Sequence, residues 1–182
     1  VNARRAPRGD YAVWGNPIVY RQEKTSRTPI ILISCDTMRA DHLSCYGYAR
    51  ETSPNLDAFA REAVLFENAI TPETWTLTAH TSMLTGLYPT HHRVNASTNL
   101  AESVPTLPET LASADYLTGG FTGYRLWMSP SSGIAHGFDT YATPPLVRDM
   151  VETRVLVDAW LESRGAAPFF LFCHNYDLHS KF

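Results

Sequence analysis

Short apolar runs alternate with longer segments of helical period along most of the chain. Ile30–Ile33 and Pro168–Phe172 are apolar and rich in β-branched or aromatic residues, which is typical of strands buried on both faces, and Leu117–Thr122 is a shorter strand candidate. Leu107–Tyr116 and Leu146–Ser163 repeat apolar residues at helical spacing. This alternation predicts an α/β protein with a largely parallel sheet.

The helix boundaries follow from caps and breakers. Ser53-Pro54 has the cap-then-proline order of a helix start, and Val64–Phe66 is a candidate short strand after that helix. Gly165 is expected to end the long second-half helix. The positions expected to face the core are Leu56, Phe59, Ala60 and Ala63 in the first helix and Leu146, Met150, Val157, Trp160 and Leu161 in the long one.

A hydroxyl residue lies at a helix start in the segment Thr71–Pro89. Thr78–Leu84 can form a helix that Gly86 ends, which places Thr76 at or just before the helix N-terminus. The backbone N–H groups there are unpaired, so a hydroxyl in this place can attack an anionic ester while the helix end stabilises the anion. The alternative is that Thr76 is an ordinary N-cap of a buried helix.

Polar residues follow two of the predicted strands directly. Asp36 ends the first strand, and a second group follows Phe172; in a parallel sheet such strand ends meet at the edge where α/β proteins bind ligands and metals. Each residue also has a structural alternative, since lone histidines are often satisfied core residues and an aspartate after a strand often forms a turn. Together they favour a metal-dependent esterase-type site. The converging set comprises Asp36, Thr76, His80, His174, Asp177 and His179.

Composition narrows the classes of protein. The 182 residues are 44% hydrophobic and 18% charged with a net charge of −3, which suits a globular core and gives no electrostatic footprint for nucleic acid. No apolar run approaches the roughly 20 residues of a membrane span. Three cysteines do not make a disulfide framework. Localisation is not predicted, and export remains open.

Residues 1–27 differ from the rest of the chain. A basic stretch without apolar period is followed by Tyr11–Tyr20, in which strand-like residues are interrupted by a Gly-Asn-Pro turn, and then by a polar segment. Because a lone strand pair is not stable, we expect residues 1–27 to be the end of an upstream β domain plus a linker. The alternative is an extra edge strand on the main sheet.

Three motifs carry a family resemblance. DTMRADHLSCYGY, TSPNLDAFAREAVLFENAIT and WTLTAHTSMLTGLYPTHHRV, followed by GFDTY and PFFLFCHNYDLH, resemble the N-terminal half of the sulfatase branch of the alkaline phosphatase superfamily. The resemblance implies a three-layer α/β/α sandwich with a mostly parallel central sheet, incomplete in this chain. It also implies that residues 28–182 are the N-terminal half of a catalytic domain.

The resemblance assigns a metal ligand and a nucleophile. Asp36 matches a metal-binding aspartate whose usual acidic neighbour is here Thr37, and Thr76 falls at the nucleophile position, which also contacts the metal. True sulfatases carry there a Cys or Ser within C/S-x-P-x-R that is oxidised to formylglycine. Thr76 is neither, so no formylglycine is expected, and His80 takes the place of the arginine.

The resemblance also suggests residues for the substrate. His179 resembles the histidine that contacts the anionic group, which gives it a catalytic role together with Thr76 and His80. Arg125 is a candidate substitute for central-loop cations that have no clear counterpart here. His174 and Asp177 are further candidates for substrate binding.

The function expected is a metal-dependent hydrolase or transferase that cleaves an anionic small-molecule ester, with Thr76 as direct nucleophile. A threonine favours phosphate or phosphonate esters over sulfate. The cofactor is a divalent metal, with Ca, Zn and Mn all compatible with a single carboxylate. The family's remaining metal ligands lie in a later segment, so we expect the chain to be a fragment of a longer protein. The alternative is a truncated, non-catalytic homologue with a binding or structural role.

Overall fold

Four parallel strands form the centre of the protein, and the computed structural model describes residues 27–179. The strands are β1 (Ile30–Cys35), β2 (Leu117–Thr122), β3 (Thr140–Ala142) and β4 (Phe169–Asn175). Their spatial order is β1-β4-β2-β3. The predicted α/β class and parallel sheet are therefore confirmed, and β3 is a strand that the sequence pattern did not reveal.

Five α-helices are found in residues 27–179, and two of them pack on opposite faces of the sheet. The five helices are α1 (Pro54–Ala60), α2 (Thr76–Thr85), α3 (Pro89–His92), α4 (Leu107–Ala112) and α5 (Met150–Ser163). Leu77 and Leu84 of α2 pack with Phe170 and Phe172 of β4 on one face. Val157 of α5 packs on the other face. Helix, sheet and helix make the three expected layers.

Strand β4 is the most buried element because it lies between β1 and β2. Its alternate side chains enter the two cores: Phe170 and Phe172 face α2, and Phe169 and Leu171 face α5. His174 continues the first row and is fully buried at the C-terminal end of the strand. The register places Ser34 of β1 and Thr122 of β2 on either side of His174.

Local chemistry explains the helix boundaries. Helix α2 ends at Gly86, whose φ of +69° suits glycine. Helix α4 begins with a capping box between Thr106 and Glu109. Helix α5 begins at Met150 because the side chain of Asp149 accepts a hydrogen bond from the backbone N–H of Glu152.

Several predicted boundaries and faces were wrong. Helix α5 begins four residues later than predicted, so Leu146 lies outside it and is exposed, and α4 ends at Ala112 instead of Tyr116. No strand forms at Val64–Phe66. Helix α1 does form at Pro54, but Leu56 and Phe59, which were expected to face the core, are exposed. An apolar period marks a face without showing what covers it.

Strand β1 is an edge strand within residues 27–179, whereas the sequence predicted burial on both faces. Ile31 and Ile33 are 55% and 57% exposed on the α5 side of the sheet, while Leu32 packs on the α2 side. The outer edge of β1 pairs with no other strand of the described part of the chain. Only one face of β1 therefore contributes to a core here.

The predicted upstream β domain and linker lie almost wholly in residues 1–26, outside the described residues, and remain a prediction. Between residues 27 and 179, no helix has both the length and the apolar character needed to cross a bilayer.

Candidate active site

Asp36 and Thr76 meet where β1 ends and α2 begins. The Thr76 hydroxyl donates a hydrogen bond to Asp36 Oδ2 at 3.1 Å. The backbone of Asp36 is held by a 2.9 Å bond from its N–H to the carbonyl of Asn175, and Thr37 follows with a left-handed φ of +58°. A β-branched residue in that conformation costs on the order of 1–3 kcal/mol, and such strain is typical of functional sites.

Thr76 is the first residue of α2 and is nearly buried. The preceding residue, Trp75, provides no side-chain cap, so the amides of the first turn are not satisfied by one. These amides and the positive end of the helix dipole favour a negative charge beside the Thr76 oxygen. The predicted placement of Thr76 at a helix N-terminus is confirmed.

His174 reaches the same carboxylate from β4. Its Nε2 lies 3.3 Å from Asp36 Oδ2, and its ring is fully buried. Within residues 27–179, His174 Nδ1 is a buried atom with no hydrogen-bond partner, as is Thr122 Oγ1 on the neighbouring strand. The burial of His174 favours action through Asp36 over direct contact with substrate.

His80 lies one helical turn after Thr76 and uses both ring nitrogens. Nδ1 lies 2.6 Å from the carbonyl oxygen of Thr76, which only accepts, so Nδ1 carries the proton. Nε2 therefore accepts a 2.7 Å hydrogen bond from the Ser34 hydroxyl. The ring also packs edge-on against His174, with centroids 4.9 Å apart. His80 thereby ties the start of α2 to β1.

The pKa values of these groups follow from burial and neighbours. Burial lowers the pKa of His80 to about 4, and the charge interaction with His174 acts in the same direction. His80 is thus neutral near pH 7 and does not supply the cation of the arginine it resembles. Burial raises the pKa of Asp36, but the hydrogen bond and charge interaction with His174, together with the Thr76 hydrogen bond, outweigh it and lower the pKa overall.

His179 belongs to a stack of three rings at the C-terminal end of β4. Its ring lies 4.3 Å from the ring of Tyr176, which stacks in turn on Tyr124 at 4.4 Å. The centroid of Tyr176 is 6.0 Å from that of His174. The stack fixes the plane of the His179 ring just after β4, and its role in contacting the anionic group remains a prediction.

Asp177 and Arg125 have other contacts. Asp177 is exposed, and its carboxylate accepts a 3.2 Å hydrogen bond from the backbone N–H of Met150 at the start of α5. Arg125 is exposed, and its guanidinium donates to the carbonyl of Pro145 at 3.4 Å. Neither contact brings the side chain to Asp36, and their suggested substrate-binding roles remain predictions.

An open cleft of about 610 Å³ adjoins this edge of the sheet. Thr37, directly after Asp36, lines one part of it, and Leu178, directly before His179, lines another. Its wall mixes polar residues, among them Arg39 and His42, with apolar ones such as Leu43. The side chains of Asp36 and Thr76 do not themselves line this cleft.

The sequence pattern did not predict two residues that contact the site histidines. Ser34 is the partner of His80, and its position two residues before Asp36, in an otherwise apolar strand, was the available signal. Tyr176 lies in the middle of the ring stack. Its role depends on tertiary packing and has no local signature.

The side chains around Asp36 supply part of a coordination shell for a divalent metal. No group of three or more His, Cys, Asp or Glu side chains suited to a metal is found in residues 27–179. However, Asp36 Oδ2, Thr76 Oγ1 and His174 Nε2 converge, and the unpartnered His174 Nδ1 leaves that ring's hydrogen bonding incomplete. A carboxylate, a hydroxyl and an imidazole fit part of a metal's coordination.

Comparisons with known proteins agree with the fold. The family model described as Sulfatase matches residues 28–181. N-acetylgalactosamine-6-O-sulfatase from Bacteroides thetaiotaomicron is 27% identical over 128 residues, which cover 67% of this chain and 25% of that protein. The chain thus spans about a quarter of the length of the curated relatives it matches.

Two solved structures show the same architecture. Phosphonate monoester hydrolase of Agrobacterium radiobacter matches with a TM-score of 0.69 at 20% identity, over 85% of this chain and 42% of that one. The C-terminal periplasmic domain of EcEptC from Escherichia coli, in complex with Zn, matches with a TM-score of 0.59 at 22% identity, over 84% of this chain and 44% of that one. At these identities the likeness concerns the fold.

Proposed function

The chain belongs to the sulfatase family, and from that premise we propose that it is the nucleophile-bearing part of a metal-dependent hydrolase or transferase acting on anionic esters. Residues 28–182 are, on this proposal, the N-terminal half of the catalytic domain. The observation that carries the proposal is the hydrogen bond between the Thr76 hydroxyl and Asp36 at the N-terminus of α2.

Thr76 acts as the direct nucleophile. Its oxygen attacks the phosphorus or sulfur of the ester, and the bond to the alcohol breaks. The alcohol leaves with the proton that Thr76 gives up, and water then cleaves the ester on Thr76. The first-turn amides of α2 stabilise the charge on the transferred group, because they point at it without needing to reorganise.

Asp36 and Thr76 are the residues that would hold the divalent metal. When bound, such a metal lowers the pKa of the hydroxyl and offsets the negative charge of the ester. His80 keeps the first turn of α2 in place through Thr76 and Ser34. On this proposal His179, whose ring is stacked on Tyr176, contacts the anionic group.

Phosphate and phosphonate esters are the favoured substrates. The sulfatase route through formylglycine needs a Cys or Ser at residue 76, and this chain has Thr76. The fold comparisons do not separate these substrate classes, because a phosphonate monoester hydrolase and a protein in complex with a disulfated glucosamine both match with a TM-score of 0.69. The preference therefore rests on Thr76. The adjoining cleft receives the alcohol portion.

Thr76→Val tests the nucleophile in the full-length protein, because valine keeps the shape and removes the hydroxyl. Turnover of p-nitrophenyl phosphodiester, phosphonate and sulfate esters is compared, so that the leaving group is constant. We expect kcat to fall at least about a thousandfold with folding unchanged. Thr81→Val is the control, since Thr81 is also buried in α2 and its hydroxyl donates to the carbonyl of Leu77.

Retained turnover in Thr76→Val would remove Thr76 as nucleophile. A native protein with no turnover of any of the three esters and no bound divalent metal would instead favour the non-catalytic relative. A covalent phosphoryl or sulfuryl group found on Thr76 by mass spectrometry would support the direct route.

A further inference from the structure

His174 is the most buried polar side chain at the site, and one end of it has no partner. Its ring is 0% exposed, Nε2 faces Asp36 Oδ2, and Nδ1 makes no hydrogen bond within the described residues. Leaving a buried polar atom unsatisfied costs about 1–3 kcal/mol, so such an atom in a functional site calls for an explanation.

The buried hydroxyl of Thr122 also lacks a hydrogen-bond partner within the described residues. Thr122 is 0% exposed, and Oγ1 has no partner in residues 27–179. Thr122 and His174 are register partners on adjacent parallel strands, so their side chains leave the same face of the sheet. A single hydrogen bond between His174 Nδ1 and Thr122 Oγ1, which the structure does not contain, would satisfy both atoms.

The distances around Asp36 match those between ligands of one metal. Thr76 Oγ1 and His174 Nε2 lie 3.1 and 3.3 Å from Asp36 Oδ2. Two ligands bound at about 2.1 Å lie about 3.0 Å apart at a right angle and about 3.4 Å apart at the tetrahedral angle. The 3.3 Å separation is longer than the roughly 2.7–3.2 Å of most N–H···O hydrogen bonds.

We infer that His174 Nε2 is a nitrogen ligand of the metal held by Asp36 and Thr76, and that Thr122 is the acceptor that fixes the tautomer of His174. A ligating histidine characteristically donates its other N–H to a neighbouring acceptor, which is the role left open for Thr122 Oγ1. The inference rests on the proposed function, because it needs a metal at Asp36.

An imidazole ligand narrows the choice of metal. Calcium takes oxygen ligands almost exclusively, whereas imidazole suits zinc and other transition metals. The three ions compatible with the sequence, Ca, Zn and Mn, are thereby reduced to Zn or Mn, with Zn the better match to a nitrogen ligand. The remaining ligands come from outside the Asp36–Thr76–His174 cluster.

The test measures zinc binding by the full-length protein. After chelator treatment, zinc affinity is determined by chelator competition, and zinc-edge X-ray absorption counts the imidazole ligands. We expect His174→Gln to lose one imidazole, and Thr122→Val, which keeps the shape, to weaken zinc binding about 10- to 100-fold. His92→Gln is the control, because His92 is a buried histidine bonded to Ser82 and Val94 away from Asp36.

The outcomes separate this inference from the proposed function. An unchanged imidazole count and zinc affinity in His174→Gln would overturn the ligand role, while the Thr76→Val result on turnover would still stand. If His174→Gln fails to fold, unchanged zinc affinity in the folded Thr122→Val protein would overturn the inference instead. A protein that binds no zinc, or only Ca through oxygen ligands, would also overturn it.

Discussion

Acid should destabilise this protein through His80. The ring is buried, its Nδ1–H donates to the Thr76 carbonyl, and its Nε2 accepts from Ser34. A second proton on Nε2 would break the Ser34 hydrogen bond as it stands and place a charge beside His174. The perturbation is therefore a fall in pH, with His80→Gln as the variant that removes the titrating group.

The sign and size follow from the pKa. Burial lowers the pKa of His80 from 6.5 to about 4 in the folded protein. Between these values the unfolded chain binds more protons than the folded one, so acid favours unfolding. Above pH 6.5, His80 is neutral in both the folded and the unfolded chain, and the full free energy of unfolding is present. As the pH falls from 6.5 to 4, the ring is protonated mainly in the unfolded chain, and the free energy of unfolding falls by roughly 3 kcal/mol.

The assay is urea denaturation of the wild-type protein and His80→Gln at several pH values between 4 and 7.5. The difference in unfolding free energy between the two proteins should shrink by roughly 3 kcal/mol as the pH falls through this window. Asp36 does not obscure the result: its pKa is lowered, so its contribution is present above its usual value of 3.8 and is lost only below. Parallel pH curves for the two proteins would refute the reasoning.

Two further predictions concern packing around the site. Ser34→Ala leaves the buried Nε2 of His80 without its hydrogen-bond donor and should lower the free energy of urea unfolding by about 1–3 kcal/mol. The double variant with His80→Phe should lose less than the sum of the two single variants, and strict additivity would contradict the hydrogen bond. Gly119→Ala should cost about 1–3 kcal/mol in thermal unfolding, because its Cβ would lie 2.7 Å from Trp160 Cζ2. Combination with Trp160→Leu should recover part of that loss, and no recovery would show that this clash is not the cause.

Local signals predicted the elements that position the nucleophile. The apolar runs of β1 and β4 and the glycine stop at Gly86 are short-range features, and the structure reproduces them. Thr76 therefore lies at a helix start for reasons contained within about ten neighbouring residues. Asp36 lies at a strand end for the same kind of reason.

Local signals failed where burial depended on distant partners. Phe59 and Leu146 have the spacing of core residues, yet both are exposed in the described part of the chain. Ile31 and Ile33 form the apolar run of a buried strand, yet the strand order leaves one of their faces uncovered. Periodicity reports which side of an element is apolar and contains no information about which element packs there.

The sequence by itself determined the α/β class, the sulfatase resemblance and the grouping of Asp36, Thr76 and His174 at one sheet edge, because the carboxyl ends of parallel strands must meet there. Only the tertiary structure decided the pairwise contacts: Ser34 donates to His80, and Asp177 accepts a hydrogen bond from the backbone N–H of Met150 at the start of α5. These contacts join residues that are 46 and 27 positions apart in the chain. Such long-range geometry is set by packing of the whole sheet, which no local pattern specifies.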